Sequence, residues 1–282
     1  MLSQIVKINC IKHRYPDAVE VSVCGLVFKI HDGEKVVIVG SNGSGKTTLL
    51  HHIVGILKPE EGEVEVFGTP PRSPESLHGK VAMVFQDVEY QLVGPTVWDD
   101  IAFSPVNFGH TKEEVRVLVD DVIEDMQLGH LARRVPHYLS GGEKKKVAIA
   151  GAIATHPKLL ILDEALAGLD PKSRSETLNL LTKINRERNI AIALTTHDIS
   201  IIPGFADVVY VLARGQLIYR GRPLELFTRP ELLKQANIES PPLIEVLNAL
   251  RERGLPVKPT SDPKEALSQL MPLLSVKSTV LR

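Results

Sequence analysis

Cysteine, net charge and long apolar runs are all scarce in this chain of 282 residues. Cys10 and Cys24 are its only cysteines, too few for a disulfide scaffold or a cysteine-rich zinc site. We therefore expect a reducing, cytoplasmic setting. The formal net charge is −1, which gives no overall attraction to nucleic acid or to an anionic membrane. We expect no nucleic-acid partner.

The start of the chain, Met1–Cys10, lacks the basic and then uninterrupted apolar pattern of a signal peptide. Nowhere does an apolar run approach the roughly 18 residues that suggest a membrane span. With 43% hydrophobic and 24% charged residues, the composition is that of a folded globular protein. The sequence predicts a soluble protein that does not enter the bilayer by itself.

Short apolar runs alternate with helical patterns, which predicts an α/β fold with a largely parallel sheet. A strand covered on both faces should be nearly all apolar. The predicted buried strands are Lys35–Val39, Val81–Phe85, Leu159–Leu162 and Ile190–Leu194. The partly alternating runs Gln4–Lys12 and Val19–Ile30 predict more exposed strands, and Val208–Leu212 with Gln216–Tyr219 predicts a hairpin.

Apolar residues recur at helical spacing between Thr111 and Leu128, which predicts a helical lobe inserted into the sheet domain at about residues 90–154. From Gly221 onward the pattern changes. Ser240-Pro241 predicts the start of an amphipathic helix that ends at Gly254, and Asp262 with Glu265 predicts a capping box on a second helix. We therefore divide the chain into residues 1–220 and a helical extension, 221–282.

A glycine-rich segment matches the P-loop pattern and lies between strand Lys35–Val39 and the helical run Thr48–Val54. Such a loop turns successive N–H groups toward one phosphate, and the helix N-terminus adds its positive dipole. A lysine supplies charge to the β- and γ-phosphates and a threonine hydroxyl can ligate Mg²⁺. The predicted nucleotide-binding residues here are Ser41, Asn42, Gly43, Ser44, Gly45, Lys46, Thr47 and Thr48, with Thr47 also a metal ligand.

Asp163 and Glu164 directly follow strand Leu159–Leu162, at the carboxyl end where ligands collect in open α/β sheets. Asp163 is predicted to hold Mg²⁺, directly or through water. Successive side chains of a strand point to opposite faces, which leaves Glu164 free to polarise an attacking water. The cofactors predicted by the P-loop and this acidic pair are ATP and Mg²⁺.

Leu139-Ser140-Gly141-Gly142-Glu143 opens the helical run Lys144–Ala154, and this string resembles the signature of ABC-type ATPases. A helix N-terminus of this kind presents backbone amides and a hydroxyl to an anion. The resemblance implies that Ser140, Gly141 and Gly142 bind the γ-phosphate of ATP held by a second subunit, in a head-to-tail dimer.

Four further positions resemble the family one by one. Gln86 resembles the Q-loop glutamine that touches the metal and the attacking water, and His197 the switch histidine beside the γ-phosphate. Asp170 resembles the D-loop aspartate at the dimer interface, and Tyr15 the aromatic residue that stacks on adenine. The resemblance thus implies Glu164, His197 and Gln86 as catalytic residues, with Gln86 and Asp163 as metal ligands.

Two departures from the family pattern stand out. Ala165 and Leu166 replace the usual Pro and Thr or Ser, so the turn after Glu164 is expected to be looser. The lysine run Lys144–Lys146 replaces a Gln-Arg mixture, and we expect it to be a solvated or phosphate-facing basic turn.

The whole length resembles the ATPases of energy-coupling factor (ECF) importers, including the cobalt and nickel types. The segments that carry this resemblance are Phe85–Leu92, Gly94–Val97, Asp100–Pro105 and Ala167–Pro171. In that group Gln91 belongs to a segment that faces the transmembrane partner, and Pro241–Pro256 resembles a C-terminal domain that helps to pair the two ATPases. The alternative for that tail is a helix packed on its own sheet domain.

The resemblance implies a P-loop ABC ATPase fold with an N-terminal antiparallel part, an inserted helical subdomain and a C-terminal extension. The implied partners are a second ABC ATPase, identical or not, a T-type transmembrane coupling protein and a substrate-binding membrane subunit. The implied location is the cytoplasmic face of the membrane. Cargo, a vitamin or a metal ion, is not encoded in this chain. Alternatives are a non-transport ABC ATPase, an ATPase of another importer class and a P-loop kinase, which would not need Leu139–Glu143 or Asp170.

Overall fold

A computed structural model describes residues 3–277 of the chain. Its strands form one sheet in the order β3-β1-β2-β10-β9-β4-β8-β7-β6, with β5 paired to β1. The strands are β1 (Gln4–Arg14), β2 (Glu20–Gly25), β3 (Phe28–His31), β4 (Lys35–Val39), β5 (Glu61–Val66), β6 (Val81–Val84), β7 (Leu159–Asp163), β8 (Ala191–Thr196), β9 (Val208–Ala213) and β10 (Gln216–Gly221). The run from β9 to β6 is parallel, while β1 pairs antiparallel with β2, β3 and β5.

The α-helices surround this sheet and follow it. They are α1 (Lys46–Ile53), α2 (Val97–Asn107), α3 (Lys112–Asp125), α4 (Gly141–Ile153), α5 (Pro171–Arg188), α6 (Ile202–Phe205), α7 (Pro223–Leu226), α8 (Pro230–Ala236), α9 (Pro242–Glu252) and α10 (Pro263–Lys277). Among residues 3–277, no helix combines the length and the apolar character of a membrane span.

The central strand β4 shows why the parallel strands are so apolar. Its five residues are all buried, and they alternate between the two sides of the sheet. Val37 and Val39 pack in the core that includes the helices α2 to α4, whereas Val36 and Ile38 pack in the core that includes α1. Both faces of the sheet are therefore covered, and the polar residues collect where the parallel strands end.

Helices α2, α3 and α4 lie between β6 and β7 in the chain, where the apolar spacing predicts a lobe. Their buried side chains include Ile101, Val119, Met126 and Val147. An ion pair fastens this group of helices to α5, because Asp125 at the end of α3 contacts both Lys183 and Arg188. The ion pairs thus connect α3 to α5.

The N-terminal sheet differs from the sequence expectations in three respects. Val19–Ile30 is not one strand, because β2 ends at Gly25 and β3 begins at Phe28. Strand β5 was not foreseen, since alternating glutamates in Glu61–Val66 leave little apolar signal. Cys10 and Cys24 form a single disulfide, a pairing that the sequence analysis did not predict. The antiparallel register of Ile11 with Val23 brings the neighbouring cysteines together.

The tail forms its own small core around Leu247, Val257 and Ala266. The first helix of the tail starts one residue later than the sequence indicates: Pro241 is its N-cap, and Ser240 lies outside. At the second helix, Asp262 accepts a hydrogen bond from the Lys264 amide, but Glu265 accepts from the Thr260 hydroxyl instead of closing a capping box. Residues 278–282 of the predicted extension lie outside the described residues.

Candidate functional site

The phosphate loop runs from Gly40 at the end of β4 into α1. A Cβ at Gly40 would lie 2.1 Å from the Leu212 carbonyl oxygen, so only glycine fits at this point. Gly45 has φ +106°, a conformation that L side chains rarely adopt, and it is the N-cap of α1. The loop is therefore curled tightly by its glycines, and its amides gather at a helix N-terminus.

Lys46 lies beneath this loop and is only 6% exposed. Its ammonium donates to the carbonyl oxygens of Gly40 at 2.9 Å and Ser41 at 3.2 Å. Lys46 Nζ also lies 3.7 Å from Glu164 Oε1, and His197 Nδ1 lies 3.5 Å from Glu164 Oε2. The structure thus brings together three residues that are far apart in the sequence: Lys46 at the start of α1, Glu164 directly after β7 and His197 directly after β8.

Thr195 holds the acidic pair in place. Its hydroxyl donates to Asp163 Oδ1 at 2.6 Å and accepts from the Glu164 amide at 2.9 Å. Asp163 is 3% exposed, and Glu164 has φ +46°, a left-handed conformation uncommon outside glycine. A backbone outlier held by its surroundings is a feature of functional sites. A proline at position 165 would disfavour helical conformations at Glu164, so Ala165 removes that restriction.

Ser44 supplies a direct test of whether the loop fits a phosphate. Its Oγ atom is buried and has no hydrogen-bond partner among the described residues. A buried hydroxyl without a partner costs free energy, about 1–3 kcal/mol, unless a ligand satisfies it. The buried Lys46 ammonium and the Gly43 position, where a Cβ would meet nothing within 4 Å, leave room and charge for an anion. The loop fits a phosphate group.

Tyr15 lies at the edge of the same site. Its hydroxyl is 2.9 Å from Thr48 Oγ1 on α1, and its ring contacts His13 edge-on at 4.7 Å between centroids. Beneath them, His52 is fully buried and its Nδ1 contacts the Thr48 carbonyl at 2.7 Å, while its Nε2 has no hydrogen-bond partner among residues 3–277. Burial lowers the pKa of His52 because it disfavours the charged ring.

A cleft of about 1710 Å³ opens above the phosphate loop. One wall consists of Ser41, Asn42, Gln86, Glu164 and His197, and the other consists of residues from Phe227 to Glu252. Gln86 follows the end of β6 and is exposed. Five sequence-predicted positions therefore line one opening, and Lys46 contacts one of them, Glu164.

The signature turn does not line this cleft. Ser140 caps α4 at the surface, and its hydroxyl donates to Glu143 Oε2 at 2.7 Å while the Glu143 amide donates back to Ser140 Oγ. These hydrogen bonds with Ser140 lower the pKa of Glu143. Asp170 caps α5 in the same manner, accepting from the Ser173 amide at 3.1 Å. Ser140, Gly141 and Asp170 are exposed.

The lysine run corrects one expectation, because none of its members is a free basic group. Lys144 contacts Glu89 at 2.7 Å, Lys145 donates to the Ala167 carbonyl, and Lys146 contacts Glu176 at 3.3 Å. Each lysine therefore ties α4 to a different element instead of facing solvent or phosphate.

Gln91 likewise turns inward. It accepts from the Phe85 amide at 2.8 Å and donates to the Met83 carbonyl at 3.0 Å, which braces the loop that carries Gln86. Its neighbour Tyr90 is 86% exposed. Sequence reasoning missed this brace and the role of Thr195. A polar Thr195-Thr196-His197 run ending an apolar strand was the available signal for the latter.

Comparisons with known proteins agree with this geometry. The ABC transporter family model matches residues 23–167. The chain is 38% identical to the energy-coupling factor transporter ATP-binding protein EcfA of Methanothermobacter thermautotrophicus, over 96% of this chain and 88% of that protein. It is 39% identical to EcfA of Methanocaldococcus jannaschii, over 90% and 92% of the two chains.

Among solved structures, cbiO1 of Clostridium perfringens, part of the ABC transporter complex cbiONQ, superposes with a TM-score of 0.75. It is 35% identical, and the match covers 89% of this chain and 99% of that one. The predicted fold class and the predicted ATPase class are thereby confirmed. The chain belongs to the ABC transporter family.

Proposed function

We propose that this chain is the ATP-hydrolysing subunit of an ECF-type importer, built from two ATPase chains and membrane partners. The observation that carries the proposal is the convergence of Lys46, Glu164 and His197 beside a phosphate-fitting loop. The similarity to EcfA proteins and to cbiO1 supports the transporter class.

The chain binds ATP through its own phosphate loop. The buried Lys46 ammonium neutralises the β- and γ-phosphates, and the Ser44 hydroxyl gains the partner it lacks within its own chain. Tyr15 stacks on adenine, held by its contact with Thr48. Thr47, Gln86 and Asp163 offer the hydroxyl, amide and carboxylate oxygens that Mg²⁺ prefers. When bound, the ion neutralises charge on the transferred phosphate.

Glu164 acts on the attacking water. Its carboxylate lies between a lysine and a histidine, and Thr195 fixes its backbone, so the carboxylate has one defined position. A positioned general base typically contributes 10²–10⁴-fold to a rate. His197, whose side chain is 62% exposed, faces the same carboxylate and donates to the γ-phosphate. Hydrolysis leaves two anions side by side, and their repulsion opens the site.

The site is completed by a second ATPase chain. Ser140, Gly141 and Gly142 stand at the exposed N-terminus of an α-helix, which suits an anion that another chain carries. Closing the pair excludes water and fixes the in-line geometry of phosphoryl transfer. The tail, with Val246 and Leu267 more than half exposed, contributes to the pairing.

The membrane partners are a T-type coupling protein and a substrate-binding subunit, and the exposed Tyr90 segment faces the former. Bound to these partners, the chain lies at the cytoplasmic face of the membrane. The Cys10–Cys24 disulfide is unusual for that compartment.

The experiment compares ATP hydrolysis by the purified chain with hydrolysis by the complex isolated through a tag on this chain. We expect membrane proteins to co-purify and to raise turnover per ATPase chain. If no membrane protein co-purifies with the tagged chain and its turnover equals that of the purified chain alone, the transport role is contradicted.

A further inference from the structure

The turn that carries Glu164 and the turn that carries Ser140 belong to the same chain, although the proposed sites divide them between two nucleotides. Two contacts join them. Lys145 on α4 donates to the Ala167 carbonyl oxygen. A Cβ at Gly142 would lie 3.4 Å from Leu169 Cδ2, so the first turn of α4 rests against Leu169.

The position of Ala167 makes the first contact informative. Ala167 lies three residues after Glu164 and three before Asp170, and its amide donates to the Glu164 carbonyl at 2.9 Å. The turn has a second internal hydrogen bond, from the Leu169 amide to the Leu166 carbonyl at 3.4 Å, with a left-handed residue at its start and no proline to stiffen it. The carbonyl oxygen of Ala167 accepts a hydrogen bond from Lys145, which lies outside the turn.

Lys145 itself is half-buried, and burial lowers the pKa of its ammonium group. A charged donor to a carbonyl oxygen in a partly desolvated setting makes a stronger and more directional contact than an ion pair whose carboxylate lies largely in solvent. The side chains of Lys144 and Lys146 are only 11% and 20% exposed, but those of their partners Glu89 and Glu176 are 60% and 47% exposed.

We propose that Lys145 is a positioning residue for ATP hydrolysis, which ties the Glu164–Asp170 turn to the Ser140–Gly142 helix and makes the two half-sites of one chain move as a unit. The inference rests on the proposed two-chain function. A displacement of Ser140 by the partner's nucleotide is then transmitted through Lys145 to the turn that positions Glu164.

The test compares Lys145 with its neighbour Lys146, the matched control, in the full-length chain. Lys145→Met keeps the length of the side chain but removes the donor, and should lower kcat about tenfold while KM for ATP changes less than about twofold, because Lys46 and the phosphate loop are untouched. Lys146→Met, which removes an ion pair with the half-exposed carboxylate of Glu176, should keep kcat within about twofold of the unmodified chain. Lys145→Arg retains a donating cation and should restore at least about one third of kcat.

Folding is checked by thermal unfolding and by binding of a fluorescent ATP analogue. Where the methionine variant does not fold, Lys145→Ala, which favours the helix, is measured with the same expectation. Equal kcat values for the variants at positions 145 and 146, or a raised KM with unchanged kcat, overturn the inference. An unmodified chain without ATPase activity, alone and in its complex, overturns the proposed function instead.

Discussion

The phosphate loop and the signature turn, which we propose to contact the same triphosphate, differ in how their polar groups are placed. The loop is built inward: Lys46 is buried and bonded to carbonyls of its own loop, and Ser44 Oγ is buried without a partner among the described residues. The signature turn is built outward, since Ser140 is exposed and its hydroxyl already bonds Glu143 of the same turn.

This difference indicates how the two regions divide the work. A buried loop with an unsatisfied hydroxyl is suited to bind nucleotide on its own chain, because its groups are oriented in advance. An exposed helix cap contributes only when another surface approaches it. We therefore expect changes at the loop to alter nucleotide affinity, and changes at the signature turn to alter turnover.

The largest effect on turnover is expected at Glu164, the proposed base, because both regions are proposed to surround the γ-phosphate on which its water attacks. Glu164→Gln removes the base but keeps the shape of the side chain, and should lower turnover at least about a hundredfold. Binding of ATP should persist, since the contacts of Lys46 with its loop remain. Steady-state hydrolysis and equilibrium binding of a fluorescent ATP analogue measure the two quantities. Hydrolysis near the normal rate would remove Glu164 from its role.

Ser140→Ala tests the exposed signature turn. It removes a hydrogen-bond donor to developing charge and should lower kcat by about tenfold to a hundredfold. It also removes a helix cap, at a cost of about 1 kcal/mol of stability. Thr111→Ala is the matched control, because Thr111 and Glu114 form the same capping box on α3. The control should lose similar stability and keep its turnover, and equal kinetic losses in both variants would contradict the assignment.

Substitutions of Tyr15 test nucleotide binding at the phosphate-loop site. Tyr15→Ala should weaken ATP binding about tenfold, because aromatic stacking on a base contributes about 1–3 kcal/mol. Tyr15→Phe keeps the ring and loses only the 2.9 Å contact with Thr48, so its affinity should fall by less than about threefold. Titration with an ATP analogue measures both variants. Equal losses would mean that the hydroxyl, not the ring, binds nucleotide.

The smallest effect concerns His52 beneath the loop. Burial lowers its pKa, while the ring in the unfolded chain protonates near the ordinary value of 6.5. Below that pH the His52 ring is protonated in the unfolded state but remains neutral in the folded state. The free energy of unfolding therefore falls as the pH drops. His52→Gln should flatten this slope by at most about 1.4 kcal/mol per pH unit.

Urea unfolding at pH 7.5 and 5.5 measures the slope. Burial also lowers the pKa of His51 and His156, so part of the pH dependence should remain. His130→Gln, at an exposed position, should leave the slope unchanged. A slope in the His52 variant equal to that of the unmodified chain would contradict the prediction.

Local pattern predicted the parallel core and the phosphate loop, because burial on both faces requires continuous apolar strands and the loop requires glycines at fixed spacing. Features set by distant partners were not predictable in that way. The Cys10–Cys24 disulfide depends on the register of β1 and β2, and the inward turn of Gln91 depends on the end of β6. The partners of Lys144–Lys146 lie on three other segments.

The most direct test is a structure of the Glu164→Gln variant trapped with ATP in its membrane complex. The account predicts Ser140 Oγ and the Gly142 amide within about 3.5 Å of the γ-phosphate bound by the other ATPase chain. A closed pair in which Ser140 faces solvent, with the γ-phosphate contacted only by its own chain, would contradict it.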